Sequence, residues 1–161
     1  MSKRTVLSGL AAALGVSAML LAGTPGSATA AEVGTMAVGS QIKNFQTKLC
    51  LDSDAKGNAY TKSCADDLNN PYQQWGTLWN ASGTKFQLRN VQTLRCLEAA
   101  GEDGVRTAPC GNHSSQLWST NEWLRIKNDY NGRALDSNAK GQLYTSPYSE
   151  SNPYMEWWWR N

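Results

Sequence analysis

The chain has 161 residues, with 15 Lys and Arg against 13 Asp and Glu, and its formal charge of +2 disappears once Lys3 and Arg4 are set aside. So even a balance gives no electrostatic footprint for nucleic acid or an anionic membrane surface. A single histidine, His113, and no C-x2-C spacing leave nothing from which to build a metal centre, and no cofactor is expected.

Residues 1–30 read as a secretory signal. Lys3-Arg4 precede an apolar run from Val6 to Ala22, Pro25-Gly26 break it, and Ala28-Thr29-Ala30 offers a small-x-small cleavage site. A membrane anchor is the competing reading, but the run sits at the low end of the about 17–25 residues that span a bilayer and has the wrong flanks. A secreted, extracellular protein without membrane insertion is expected. Residues 31–161 then form one domain of ordinary size.

From residue 42 the chain repeats itself. The string Leu51-Asp52-Ser53-Asp54-Ala55-Lys56-Gly57 returns as Leu135-Asp136-Ser137-Asn138-Ala139-Lys140-Gly141, with a worn copy from Leu97-Glu98 to Thr107 between them. In register, the copies run over 42–79, 86–118 and 124–159. Each opens with an apolar strand closing on an Asn (Asn44, Asn90, Asn128), then a turn, a short strand at 49–51, 95–97 or 133–135, and a turn around Gly57, Gly104 or Gly141. A third strand follows at 58–61, 105–108 or 142–145. A polar loop then leads to a fourth strand bearing Trp75, Trp118 or Trp157. Short strands with such turns predict an all-β fold.

Cys50 and Cys64 are 14 residues apart, as are Cys96 and Cys110, and each pair occupies the same two positions of its own copy. The repeat therefore selects Cys50–Cys64 and Cys96–Cys110 from the possible connectivities. Ala134 and Tyr148 hold these places in the third copy. Three copies of about 40 residues are too few for a propeller and lack the polar caps of a solenoid. Three four-stranded units closed around an axis leave no free edges, and that arrangement is a β-trefoil.

Cys50-Leu51-Asp52 with Gln73-Gln74-Trp75, and Cys96-Leu97 with Gln116-Leu117-Trp118, resemble the C-L-D and Q-x-W marks of ricin B-type lectins. The string from Leu135 to Thr145 is more narrowly similar to the actinohivin-like mannose-binding trefoils within that family. The third copy departs from the pattern with Met155-Glu156-Trp157, and the middle copy with Glu98 for Asp and Arg106 for Tyr.

Sugar recognition requires a carboxylate or amide that chelates vicinal hydroxyls and an aromatic ring against the apolar face of the pyranose. The resemblance implies that Asp52 and Asp136 hold hydroxyls and that Tyr60, Tyr72, Tyr144 and Tyr154 line pockets, with Asn70 and Asn152 beside them. Glu98 and Asn112 mark a weaker site in the middle copy. The plainer reading of Asp52 and Asp136 is an Asx-turn into the following glycine, and of Tyr60 and Tyr144 simple strand packing. Gln73, Gln116, Trp75, Trp118 and Trp157 are expected to be scaffold, the Trp filling the core and the Gln satisfying loop backbone groups. In Trp157-Trp158-Trp159 the strand alternation puts one ring outside, either against the first strand or as a stacking platform for a glycan.

Three functions compete. A monomeric, non-catalytic lectin for glycans, mannose-type or another polysaccharide, uses the repeat as multivalency. A glycoside hydrolase requires two carboxylates about 5–10 Å apart in one cleft, whereas Asp52, Glu98 and Asp136 are equivalent positions that belong on separate lobes. An inhibitory or protein-binding trefoil would act through one loop, for which Ala65 to Pro71 is the candidate.

Overall fold

A computed structural model of the protein describes residues 39–160 apart from 67, 68 and 123. The expected signal segment lies outside the described residues, as does Trp123. Each repeat contributes four strands: β1 (Ser40–Asn44), β2 (Cys50–Ser53), β3 (Ala59–Lys62) and β4 (Gln74–Trp79) form lobe 1. Lobe 2 has β5 (Phe86–Asn90), β6 (Arg95–Ala100), β7 (Gly104–Pro109) and β8 (Trp118–Thr120), and lobe 3 has β9 (Ile126–Asn128), β10 (Ala134–Ser137), β11 (Leu143–Ser146) and β12 (Trp157–Arg160).

Alternation sets the faces. Phe86, Leu88 and Asn90 of β5 are buried while Gln87 and Arg89 are less so. The first and last strands of the lobes build a barrel: β1 pairs with β4, β4 with β5, β5 with β8, β8 with β9, and β12 with β1. The bridge between Arg125 and Glu156 completes the ring between β9 and β12. The inner hairpins β2–β3, β6–β7 and β10–β11 cap one end. The caps meet through three equivalent backbone bonds. Thr61 N–H donates to the Gly141 carbonyl, Thr107 N–H to that of Gly57, and Thr145 N–H to that of Asp103. Gly141 sits at φ +82, and a Cβ there would lie 2.5 Å from the Thr61 oxygen, so both backbone angle and space require glycine. This is the expected β-trefoil.

The core holds one Trp and one Leu from each repeat with the same bond between them. Trp75, Trp118 and Trp157 are buried, and each Nε1 donates at 3.0 Å to the carbonyl of Leu51, Leu97 or Leu135. The scaffold role expected of these tryptophans is what the packing shows. The Asn that closes each first strand is buried as well. Asn44, Asn90 and Asn128 accept through Oδ1 from the two N–H groups at the start of the following turn. Their amides donate to the carbonyls of Tyr154, Tyr72 and Ser115 in the preceding lobe. That turn places Lys48, Leu94 and Gly132 at φ 62, 58 and 68, so only lobe 3 uses the residue that adopts this conformation without strain.

Both disulfides form as expected, Cys50–Cys64 and Cys96–Cys110, each with Cα atoms 4.9 Å apart. The second strands differ from expectation. They extend past Leu51, Leu97 and Leu135, so Asp52, Glu98 and Asp136 lie on strands rather than in turns. The Asx-turn belongs instead to Asp54 and Asn138: Asp54 Oδ1 accepts from Lys56 and Asn58 N–H, and Asn138 Oδ1 from Lys140 and Gln142 N–H.

Candidate functional site

With Asp52 on a strand, its neighbour across the hairpin is fixed: it stands directly opposite Tyr60, as Asp136 stands opposite Tyr144. Directly opposed side chains share one face of the hairpin. The polar loop returns a second tyrosine to that face on a short 3-10 turn, Pro71–Gln73 in lobe 1 and Pro153–Met155 in lobe 3. Asn70 and Asn152 cap these turns, their Oδ1 atoms accepting from the N–H groups of Tyr72 and Tyr154 at 3.1 and 3.0 Å. Asn90 and Asn44 hold the carbonyls of the same two tyrosines from the next lobe. The second tyrosine is therefore positioned by two repeats at once.

In lobe 1 the result is an open cleft of about 200 Å³ lined by Asp52, Tyr60, Asn70 and Tyr72, with Asp54 and Lys62 at its margin. Lobe 3 has a cleft of about 410 Å³ whose lining includes Tyr144, Tyr154, Asn138, Lys140 and Gln142. Asp136, opposite Tyr144 on the same hairpin, and Asn152, which caps the turn of Tyr154, are joined to each other at 3.0 Å. Both carboxylates are only 3% exposed. Burial pushes each above the ordinary Asp range. For Asp52 this is partly offset by bonds from Gln73 and the Ser53 N–H, and for Asp136 by bonds from Ser146, the Ser137 N–H and Asn152. The two lobes thus orient the same carboxylate differently. Gln73 Nε2 donates to Asp52 at 3.0 Å and to the Ser63 carbonyl, while its Oε1 accepts from the Ala65 N–H. Met155 cannot do this in lobe 3, and Asn152 takes over the Asp136 bond.

The middle lobe has a broader cleft of about 620 Å³ bounded by Glu98, Arg106, Asn112, His113 and Tyr130. Here Arg106 lies opposite Glu98 and donates to Oε1 through Nε and a terminal nitrogen at 2.9 and 2.7 Å, while Gln116 donates to Oε2 at 2.9 Å. Burial would raise this carboxylate, but the bonds from Gln116 and Arg106 and the Arg106 charge outweigh it and hold Glu98 below its ordinary value. Glu98 is thus already neutralised by its own hairpin. Asn112 and His113 lie on this cleft's exposed rim.

The family model of the ricin-type beta-trefoil lectin domain matches residues 37–157, which takes in all three clefts. The chain belongs to the ricin-type β-trefoil lectin family. A search of curated protein sequences returned no match. Among solved structures, this ricin-type trefoil is similar to ThreeFoil, a designed 3-fold symmetric protein, at 18% identity and TM-score 0.65, over 76% of this chain and 97% of that one. It is similar to SeviL bound to asialo-GM1 saccharide at 14% identity and TM-score 0.61, over 76% and 97% of the two chains. A non-toxic homologue of type II RIPs from Momordica charantia (bitter gourd), in complex with alpha-methyl-D-galactoside, shares 17% identity at TM-score 0.65, over 78% of this chain and 48% of that one. At these identities the likeness is one of fold.

Sequence reasoning missed several residues of the trefoil's clefts. Tyr130 belongs to lobe 3 but lines the lobe 2 cleft, and a copy-by-copy alignment does not look across lobes. The loop ties Gln41, Gln87 and Arg125 were not singled out either. Gln41 and Gln87 donate to the Ala65 and Gly111 carbonyls at 2.9 and 2.7 Å, and Arg125 donates to those of Ser149 and Glu150 at 3.1 and 2.6 Å. Their shared place, one residue before Ile42, Leu88 and Ile126, was the available signal.

Proposed function

We propose that this protein is a secreted, multivalent, non-catalytic lectin whose sugar sites are the lobe 1 and lobe 3 clefts. Asp52 with Tyr60, Tyr72 and Asn70, and Asp136 with Tyr144, Tyr154 and Asn152, carry the binding. The observation behind the reading is the repeated register: an Asp directly opposite a Tyr, faced by a second Tyr on a capped 3-10 turn, in two lobes of one rigid body. A buried carboxylate that accepts from protein donors still keeps lone pairs for vicinal hydroxyls, and the tyrosines offer the apolar ring face. A third, weaker site at Glu98 and Asn112 would have to work beside the Glu98–Arg106 pair. The mannose-type preference rests on the Leu135–Thr145 string, and a monomer is the expected state. The three lobe carboxylates belong to separate hairpins, which supports the reading without hydrolysis.

A glycan array with Tyr60→Ala, Tyr144→Ala and the double variant tests this. Each single change is expected to lower binding to multivalent glycans by about tenfold or more, because two linked sites bind by effective concentration, and the double change to abolish it. Thermal melting confirms that the variants fold. Unchanged binding by the folded double variant would remove the assignment. A wild type that binds no glycan would favour the alternative, a protein-binding or inhibitory trefoil acting through the loop Ala65 to Pro71, whose first residue, Ala65, is bonded to Gln41 and Gln73.

A further inference from the structure

The barrel seams offer an internal comparison. At each seam the residue after the buried Asn donates its N–H to a carbonyl of the preceding lobe: Phe45 to Glu156, Val91 to Gln74, Asp129 to Leu117. The diagonal neighbour, one past the buried Trp and opposite Lys43, Arg89 or Lys127, is Trp158, Gly76 or Ser119. Two seams therefore close with Val and Gly, or with Asp and Ser, so the fold does not require aromatic rings there. At these two positions the β12–β1 seam alone carries them, while the β4–β5 seam has its aromatic pair, Trp79 and Phe86, at its far end. Phe45 and Trp158 lie with ring centroids 5.3 Å apart at an angle of 36°, leaving Trp158 48% exposed.

The two rings are in contact, and polar partners fix them. Trp158 Nε1 donates to Glu156 Oε1 at 3.0 Å, which fixes the indole, and Lys48 Nζ sits 4.3 Å from the Phe45 centroid. Lys43, Asn44, Phe45, Lys48 and Trp158 bound a shallow notch of about 80 Å³. Enclosing ligand sites run to about 300 Å³ and more, so this is a surface to stack on. A single hydrogen bond connects it to the lobe 3 cleft. Asn44, which lines the notch, donates at 2.6 Å to the carbonyl of Tyr154, which lines the cleft.

We propose that the Phe45–Trp158 notch is an extension subsite for the next unit of a glycan whose anchoring sugar occupies the lobe 3 cleft. The pyranose would present its apolar face to the two rings, while the Lys43 and Lys48 ammonium groups donate to its hydroxyls. The subsite favours a chain over a single sugar and makes lobe 3 selective for oligosaccharides where lobe 1 is not. It rests on the lectin reading of lobe 3.

The test is calorimetric titration of the full chain with mono- and trisaccharides of mannose, galactose and xylose. Tyr60→Ala is used as the background so that lobe 3 is read without lobe 1. The expected result is that, in whichever series binds, the trisaccharide exceeds the monosaccharide. Trp158→Ala then lowers that ratio about fivefold or more, and Trp158→Phe restores part of it. A change in tryptophan emission with trisaccharide, absent with monosaccharide and removed by Trp158→Ala, is the independent readout. A ratio unchanged by Trp158→Ala, while Tyr144→Ala still abolishes binding, overturns the subsite and leaves the lectin reading intact. No binding in any series overturns both.

Discussion

Asp52 and Asp136 are held nearly out of water with neutral partners, whereas Glu98 has a guanidinium. The difference has opposite signs in acid. For Asp52 and Asp136 the folded pKa lies above the unfolded one because burial disfavours the charged form. Their stability contribution is complete below the ordinary Asp value and is lost as pH rises through the raised value. For Glu98 the folded pKa is lowered, so its contribution is present above the ordinary Glu value and is lost as pH falls through the lowered one. Acidification from neutrality should therefore first weaken glycan binding, as Asp52 and Asp136 take up protons and lose acceptor capacity, while the fold is held or slightly strengthened. Only further acid, reaching Glu98, should cost stability. Glycan titrations and urea midpoints between about pH 3 and 7 check this. Binding that declines only in step with unfolding would contradict it, and Asp52→Asn with Asp136→Asn should erase the early window.

At the scale of elements, the loop before each buried Trp is tied down differently in the three lobes. Lobes 1 and 2 use a disulfide and a glutamine, while lobe 3 uses Arg125, only 4% exposed, whose guanidinium gathers backbone carbonyls. Arg125→Ala leaves those carbonyls without their donor and is expected to cost about 3 kcal/mol. Gln41→Ala, with Cys50–Cys64 still closed, should cost about 1 kcal/mol. Chemical denaturation of the two variants measures the contrast, and equal losses would show that Arg125 does not substitute for the missing disulfide. These ties were half legible in the sequence. Matched cysteines identify each other because the repeat places them alike. Gln41 and Arg125 look like any polar residue on an alternating strand, and what buries them is a loop more than twenty residues downstream. The Asx-turn offered as the plainer reading of Asp52 falls on its neighbour for a local reason: Asp52-Ser53-Asp54 offers two acids before the same glycine. The turn takes Asp54, which sits three residues before Gly57, as Asn138 sits three before Gly141.

For the whole molecule, the trefoil, its core tryptophans and its three clefts were readable because threefold repetition shows which residues recur. What differed between copies was harder to weigh. Arg106 and Met155 read as departures from the repeat, yet Arg106 pairs with Glu98 and the Asp136 bond in the Met155 lobe passes to Asn152. The same closure has a bearing on how the molecule assembles. Because β12 lies against β1 in the register Gln41 to Arg160, the first and last strands meet as ordinary neighbours. Chain order is then a matter of where the polypeptide happens to be cut. A circular permutant that links Arg160 to Gly39 and opens the turn after Asn80 should reach the same barrel, losing mainly the bonds that Asn80 makes to Thr84 and Lys85. It should melt within a few degrees of the parent. A much larger drop would mean that this seam, with its Phe45–Trp158 pair, does more than join neighbours. The permutant would also change the kinetics. The β12–β1 contact is the most distant in sequence and so entropically the costliest to close. Relinked, it becomes a local step, and the late event in folding moves to the junction between β4 and β5.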